Sequence, residues 1–97
     1  VIDLRTLKPW DEETVLASVA KTGRFIAVDE SYPVCGGASE WAAVVAEKGF
    51  ANLKAAPKRI SSKPVPIPFS PTLEKAVVPS VEEIAAAARD LMAVAAR

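Results

Sequence analysis

Apolar and polar positions alternate along "VIDLR" at residues 1–5, with β-branched side chains first, which predicts a strand. Asp11 then precedes "EETVLASVAKTG". Asp is a good N-cap, and Glu12 and Glu13 sit where the helix dipole favours negative charge. Val15, Leu16, Val19 and Ala20 share one face of the helix this predicts, and Gly23 stops it. "RFIAVDE" at residues 24–30 is a nearly continuous apolar run, which suits a strand covered on both faces in a parallel sheet. "SEWAAVVAEK" at residues 39–48 predicts a second helix ended by Gly49, with a further turn over residues 50–53. "PKRIS" at residues 57–61 reads as a short strand. "KPVPIPFSP" at residues 63–71 is predicted to be an extended surface connector, because four prolines remove amide donors and fix φ. The last helix is predicted over residues 79–97, with a capping box of Ser80 and Glu83 and an apolar stripe of Ile84, Ala87, Ala88 and Leu91. Strand and helix alternate, so the fold class is α/β with a mainly parallel sheet.

Composition narrows what such a fold does. The 97 residues suit one small domain, and 51% are hydrophobic, ample for a core. Twelve basic residues balance twelve acidic ones, which argues against bulk attraction to nucleic acid or an anionic membrane. No window approaches the roughly 20 apolar residues that span a bilayer. The chain opens on strand-like residues without Met, which predicts a piece of a longer chain. A single cysteine fits a reducing compartment. Histidine is absent, so no Ser–His or Cys–His pair can be built and no imidazole can ligate a metal.

The candidate chemistry lies in "VDESYPVCGGASEWAA" at residues 28–43. Asp29 and Glu30 stand at the carboxyl end of a strand, where open α/β sheets bind ligands. The competing reading is solvated or helix-capping carboxylates. Cys35 beside Gly36 and Gly37 reads as a nucleophile at a helix N-terminus or as an incidental thiol, and the missing histidine favours the second. "CGGASE" also reads as an anion cradle, but it matches neither G-x-G-x-x-G nor a Walker motif. Trp41 is core or an interface anchor. Lys58, Arg59 and Lys63 form a basic cluster, read as a solvated edge or as a dock for an acidic partner. Taken alone, these residues support an α/β domain without a self-sufficient active site.

Three segments together carry a family resemblance: "VIDLRTLKPWDEETVLASVAKTGR", "VDESYPVCGGASEWAAVVAE" and "PVPIPFSPTLEKAVVPSVEEI". In this order and spacing, the chain resembles the carboxyl-terminal domain of the β subunit of thiamine-diphosphate-dependent 2-oxoacid dehydrogenases. "VDESYPVC" and "PFSPTLE" are more similar to acetoin-type and pyruvate-type members than to branched-chain ones. The resemblance implies a three-layer α/β/α sandwich like the transketolase carboxyl-terminal domain. It implies an oxidoreductase that decarboxylates a 2-oxoacid or cleaves acetoin and passes the acyl group to lipoamide. Thiamine diphosphate and Mg belong to other parts of such an enzyme, so the chain alone is expected to be non-catalytic and to hold no cofactor or metal.

The implied partners are a second β subunit, the α subunit and, in some complexes, the dihydrolipoamide acyltransferase core. The implied location is the cytoplasm of a bacterium or an organelle matrix. Tyr32, Pro33, Gly36, Gly37 and Trp41 are expected at the subunit interface, and Asp29 and Glu30 near the cofactor site. In relatives, another strand and helix precede the segment equivalent to "VIDLRTL", so an uncovered sheet edge or apolar helix-facing surface is expected here. Some relatives carry another residue, even histidine, at the position of Asp29. The alternatives are the same fold in another thiamine enzyme, such as a split transketolase or a deoxyxylulose-phosphate synthase, and a freestanding binding module.

Overall fold

The structure, a computed structural model, describes residues 1–96. Helix α1 spans Glu12–Thr22, strand β1 Ile26–Val28 and helix α2 Gly37–Lys48. A 3-10 turn at Phe50–Asn52 leads to strand β2 at Lys58–Ile60, and helices α3 at Pro71–Val77 and α4 at Val81–Ala93 follow. The α/β class and the parallel pairing stand as the sequence predicted. β1 and β2 pair in parallel, with Ile26 opposite Lys58, Ala27 opposite Arg59 and Val28 opposite Ile60. A parallel pair needs a crossover, and α2 supplies it.

The helix ends follow local chemistry. The Asp11 carboxylate accepts from the Thr14 amide at 3.1 Å and from the Thr14 hydroxyl at 2.7 Å. The hydroxyl first, then the amide, hold its carboxyl below the ordinary carboxylate range. Gly23 takes the left-handed conformation, φ 73°, and returns its amide to the Val19 carbonyl at 2.7 Å. Ser80 accepts from the Glu83 amide at 3.1 Å, which is the Ser80 half of the predicted capping box.

Val15 and Val19 of α1 meet Val45 of α2 and Leu53, with Leu4, Trp10, Leu16 and Phe25 packed around them. Val45 is completely buried. Full burial of such a side chain stabilises the fold by about 1.5–3 kcal/mol. Ala20, expected on the buried face of α1, is exposed. An ion pair between Lys48 and Glu12 ties the two helices at their rim. The bond and charge of Glu12 raise the Lys48 ammonium above its ordinary range.

Three expectations are corrected. Residues 1–5 form no strand: Arg5 has φ 63°, outside the β region, and the Thr6 amide turns back to the Leu4 carbonyl at 2.7 Å. Among the described residues β1 has only β2 as a ladder partner, and a strand exists only with a neighbour to bond. Residues 63–70 are the expected surface connector, but Pro71 opens a helix rather than closing the extended run. Proline is compatible with the first helical turn, where its missing amide would have no partner. α4 ends at Ala93, with Val94 extended, and the predicted last residue, Arg97, lies outside the described residues.

Candidate functional site

β1 delivers the chain at Val28 into a loop that returns as α2. The Asp29 amide prolongs the ladder, donating to the Ile60 carbonyl at 3.1 Å. One carboxylate oxygen of Asp29 accepts from the Ser31 amide at 2.6 Å and from the Ser31 hydroxyl. The other accepts from the Ala38 amide at 2.7 Å. Ala38 is the second residue of α2, so this donor is one of those every helix start leaves unpaired. Asp29 therefore caps a helix that begins eight residues after it.

The local cap position explains why. Gly36 occupies it in extended conformation and has no side chain to offer. A Cβ there would lie 2.1 Å from the Tyr32 carbonyl oxygen and 2.4 Å from the Ser31 hydroxyl oxygen. The chain thus excludes any side chain where a cap normally sits, and the carboxylate comes from the strand end. The negative charge also complements the positive end of the helix dipole. This answers the anion-cradle reading of "CGGASE": Asp29, the protein's own carboxylate, takes the Ala38 donor.

A second set of bonds holds the loop from β2 and beyond. The Ser62 amide donates to the Ser31 carbonyl at 3.0 Å, and its hydroxyl donates to the Glu30 carbonyl at 2.7 Å. Ser62 is buried, so both bonds are shielded from water. The Arg59 guanidinium donates from Nη1 to the Pro33 carbonyl at 2.6 Å and to the Ser39 hydroxyl at 2.5 Å. That hydroxyl donates in turn to the Pro33 carbonyl at 2.7 Å.

The expected site residues separate into two groups. Asp29, Gly37 and Trp41 come together, since a Cβ on Gly37 would lie 3.1 Å from the Trp41 ring and 3.3 Å from the Asp29 carboxylate. Half-buried Trp41 also lines a groove of about 370 Å³ with Ile2, Trp10, Phe25 and Val28, between the N-terminal segment and β1. Tyr32 lies elsewhere, in a groove of about 360 Å³ formed with Val34, Pro64, Val65 and Pro66. Pro33 is half-buried between Tyr32 and Val34, and Glu30 is exposed. Cys35 is an exposed free thiol at φ 60°. Sequence reasoning missed Arg59 and Ser62 as loop anchors. The available signal was the parallel pairing itself, which sets residues 59–62 beside the end of β1.

At the other end of β1, Arg24 reaches the last helix. It donates to the Leu91 carbonyl at 3.1 Å and to the Val94 carbonyl at 3.2 Å. A cation there satisfies carbonyls left open at a helix C-terminus.

A family model described as "Transketolase, C-terminal domain" matches residues 1–84. The chain belongs to this family. The transketolase C-terminal match covers the whole loop of residues 29–39 and ends in the first turn of α4. Over 92 residues, 95% of this chain, it is 49% identical to the acetoin:2,6-dichlorophenolindophenol oxidoreductase subunit beta of Cupriavidus necator. It is 42% identical to the protein of the same name from Bacillus subtilis over the same length. It is 43% identical over 89 residues, 92% of this chain, to the mitochondrial pyruvate dehydrogenase E1 component subunit beta of Pisum sativum. The matches cover 27%, 27% and 25% of those relatives, so the chain spans about a quarter of their length.

Proposed function

We propose that this chain is the carboxyl-terminal assembly domain of the β subunit of a thiamine-diphosphate-dependent 2-oxoacid dehydrogenase of the acetoin or pyruvate type. The observation that carries the reading is 49% identity over 95% of the chain to an acetoin oxidoreductase β subunit. Residues 1–97 make up most of one domain in this reading. The parent enzyme decarboxylates a 2-oxoacid or cleaves acetoin and transfers the acyl group to lipoamide. The domain joins two β subunits, supports the α subunit and, in some complexes, docks the acyltransferase core. It works in a bacterial cytoplasm or an organelle matrix; no helix among the described residues is long and apolar enough to cross a membrane.

Thiamine diphosphate and Mg belong to the parent enzyme and lie outside this chain in our reading. The donor set supports this. Both Asp29 oxygens accept bonds from the loop and from α2, and the described residues contain no group of three or more His, Cys, Asp or Glu side chains fit to hold a metal. Among the described residues, this donor set does not fit a magnesium–diphosphate site. Of the two strand-end acids, Glu30 is exposed, and we assign it to face the cofactor-bearing domain.

We assign Tyr32, Pro33, Gly36, Gly37 and Trp41 to the subunit interface. Exposure of Tyr32 and Val34 on a loop pinned from several sides supports this for the tip. Gly36 permits the close turn that presents it. Trp41 contributes through the separate groove beside β1. The test uses the complete β polypeptide co-expressed with its α subunit. Thiamine-dependent acylation of lipoamide is the expected activity. Ketol transfer without lipoamide acylation would move the domain to a transketolase-type enzyme, and folding and function without any pyrimidine-binding domain in the same chain would make it a freestanding module.

A further inference from the structure

We propose that Arg59 is a positioning residue for the subunit contact made by Tyr32 and Val34, a role that rests on the interface reading above. Pro33 separates these two exposed side chains, which are 43% and 77% accessible. The proline ring fixes φ at residue 33 and restricts Tyr32 before it. What remains free is ψ of Pro33, which sets the plane of the next peptide and so the direction of Val34. The Pro33 carbonyl belongs to that peptide plane. It accepts from Arg59 Nη1 at 2.6 Å and from the Ser39 hydroxyl at 2.7 Å. Arg59 Nη1 also donates to the Ser39 hydroxyl at 2.5 Å, closing a triangle between β2, the loop tip and the first turn of α2. A charged donor makes these bonds stronger than neutral ones.

The register explains how a residue 26 positions away reaches the tip. Arg59 stands opposite Ala27, and cross-strand partners share a face. Ala27 is buried and small, so it leaves room over the ribbon for a long side chain. The two ends of the loop have their own anchors, Ser62 and Asp29 on Glu30 and Ser31, and Asp29 on Ala38. Loss of Arg59 therefore loosens the tip, whose Pro33 carbonyl keeps only the Ser39 hydroxyl, while both ends stay attached. A loosened tip must be ordered again on association, and that ordering weakens binding by about tenfold.

The test is made in the complete β subunit, reading its association with a second β subunit and with the α subunit by sedimentation. Arg59→Gln is expected to weaken association about tenfold while leaving the Ala38 amide, held by Asp29, protected from exchange. Arg59→Lys, which keeps a cationic donor for the Pro33 carbonyl, is expected to recover part of the loss and serves as the informative variant where Arg59→Gln folds poorly. In a Tyr32→Ala/Val34→Ala background, Arg59→Gln is expected to add nothing, because the group it positions is gone. Full additivity there would overturn the proposal and leave Arg59 as a general stabiliser. Undiminished association of Arg59→Gln, with weakened Tyr32→Ala/Val34→Ala, would also overturn it while sparing the interface reading. Undiminished association of Tyr32→Ala/Val34→Ala would instead remove the interface reading itself.

Discussion

Asp29→Ala tests the long-range cap directly. The substitution removes the acceptor of the Ala38 amide at 2.7 Å and of the Ser31 amide at 2.6 Å. Loss of an N-cap acceptor costs about 1 kcal/mol. Loss of a second backbone bond costs about 1 kcal/mol more. The charge facing the helix start adds about 0.5 kcal/mol. Gly36, at the local cap position, has no side chain to take over. The expected total is about 2.5 kcal/mol. With a urea slope of about 1–3 kcal/mol per molar, the unfolding midpoint falls by about 0.8–2.5 M. Urea unfolding of the polypeptide carrying this domain, followed by far-ultraviolet circular dichroism, measures it. Amide exchange at Ala38 locates the effect, since that proton loses its partner. Asp29→Asn is expected to show a smaller loss: its oxygen still accepts, but its amide nitrogen faces a donor. A midpoint for Asp29→Ala within error of the parent, with Ala38 still protected, would refute the cap.

Gly36→Ala places a methyl carbon 2.1 Å from the Tyr32 carbonyl oxygen, so destabilisation of at least about 2 kcal/mol is expected in the same unfolding assay. Arg24→Ala leaves the Leu91 and Val94 carbonyls without their guanidinium, and faster amide exchange in α4 than in α1 is the expected signature. Asp11 titrates below its ordinary 3.8 when folded, so its contribution is present above that pH and is lost as pH falls through the folded value. The acid limb of stability against pH should therefore be shallower in Asp11→Asn. Lys48 titrates above 10.5 when folded, so its contribution is present below that pH and is lost as pH rises through the folded value. Lys48→Gln should flatten the alkaline limb.

The sequence by itself determined the helix boundaries that depend on neighbours three or four residues away. Asp11 to Thr14, Gly23 to Val19 and Ser80 to Glu83 are bonds within one helical turn, so residue type and spacing suffice to foresee them. The parallel class followed from the apolar run before Asp29, and the family followed from three motifs in order. The tertiary structure decided what depends on distant partners. Residues 1–5 have a strand's pattern, but a strand is made by the neighbour that bonds it, and Arg5 turns the chain away. Pro71 carries the same ring whether it breaks or begins a helix, and only its place at the helix start distinguishes the two. Asp29 proved to be a cap because the fold brings Ala38 to it while Tyr32 shuts the nearer position. Arg59 proved to be an anchor because the register of β2 carries it to Pro33 across 26 residues. Local bonds are written in spacing; these two exist only once the ribbon has paired and α2 has crossed over it.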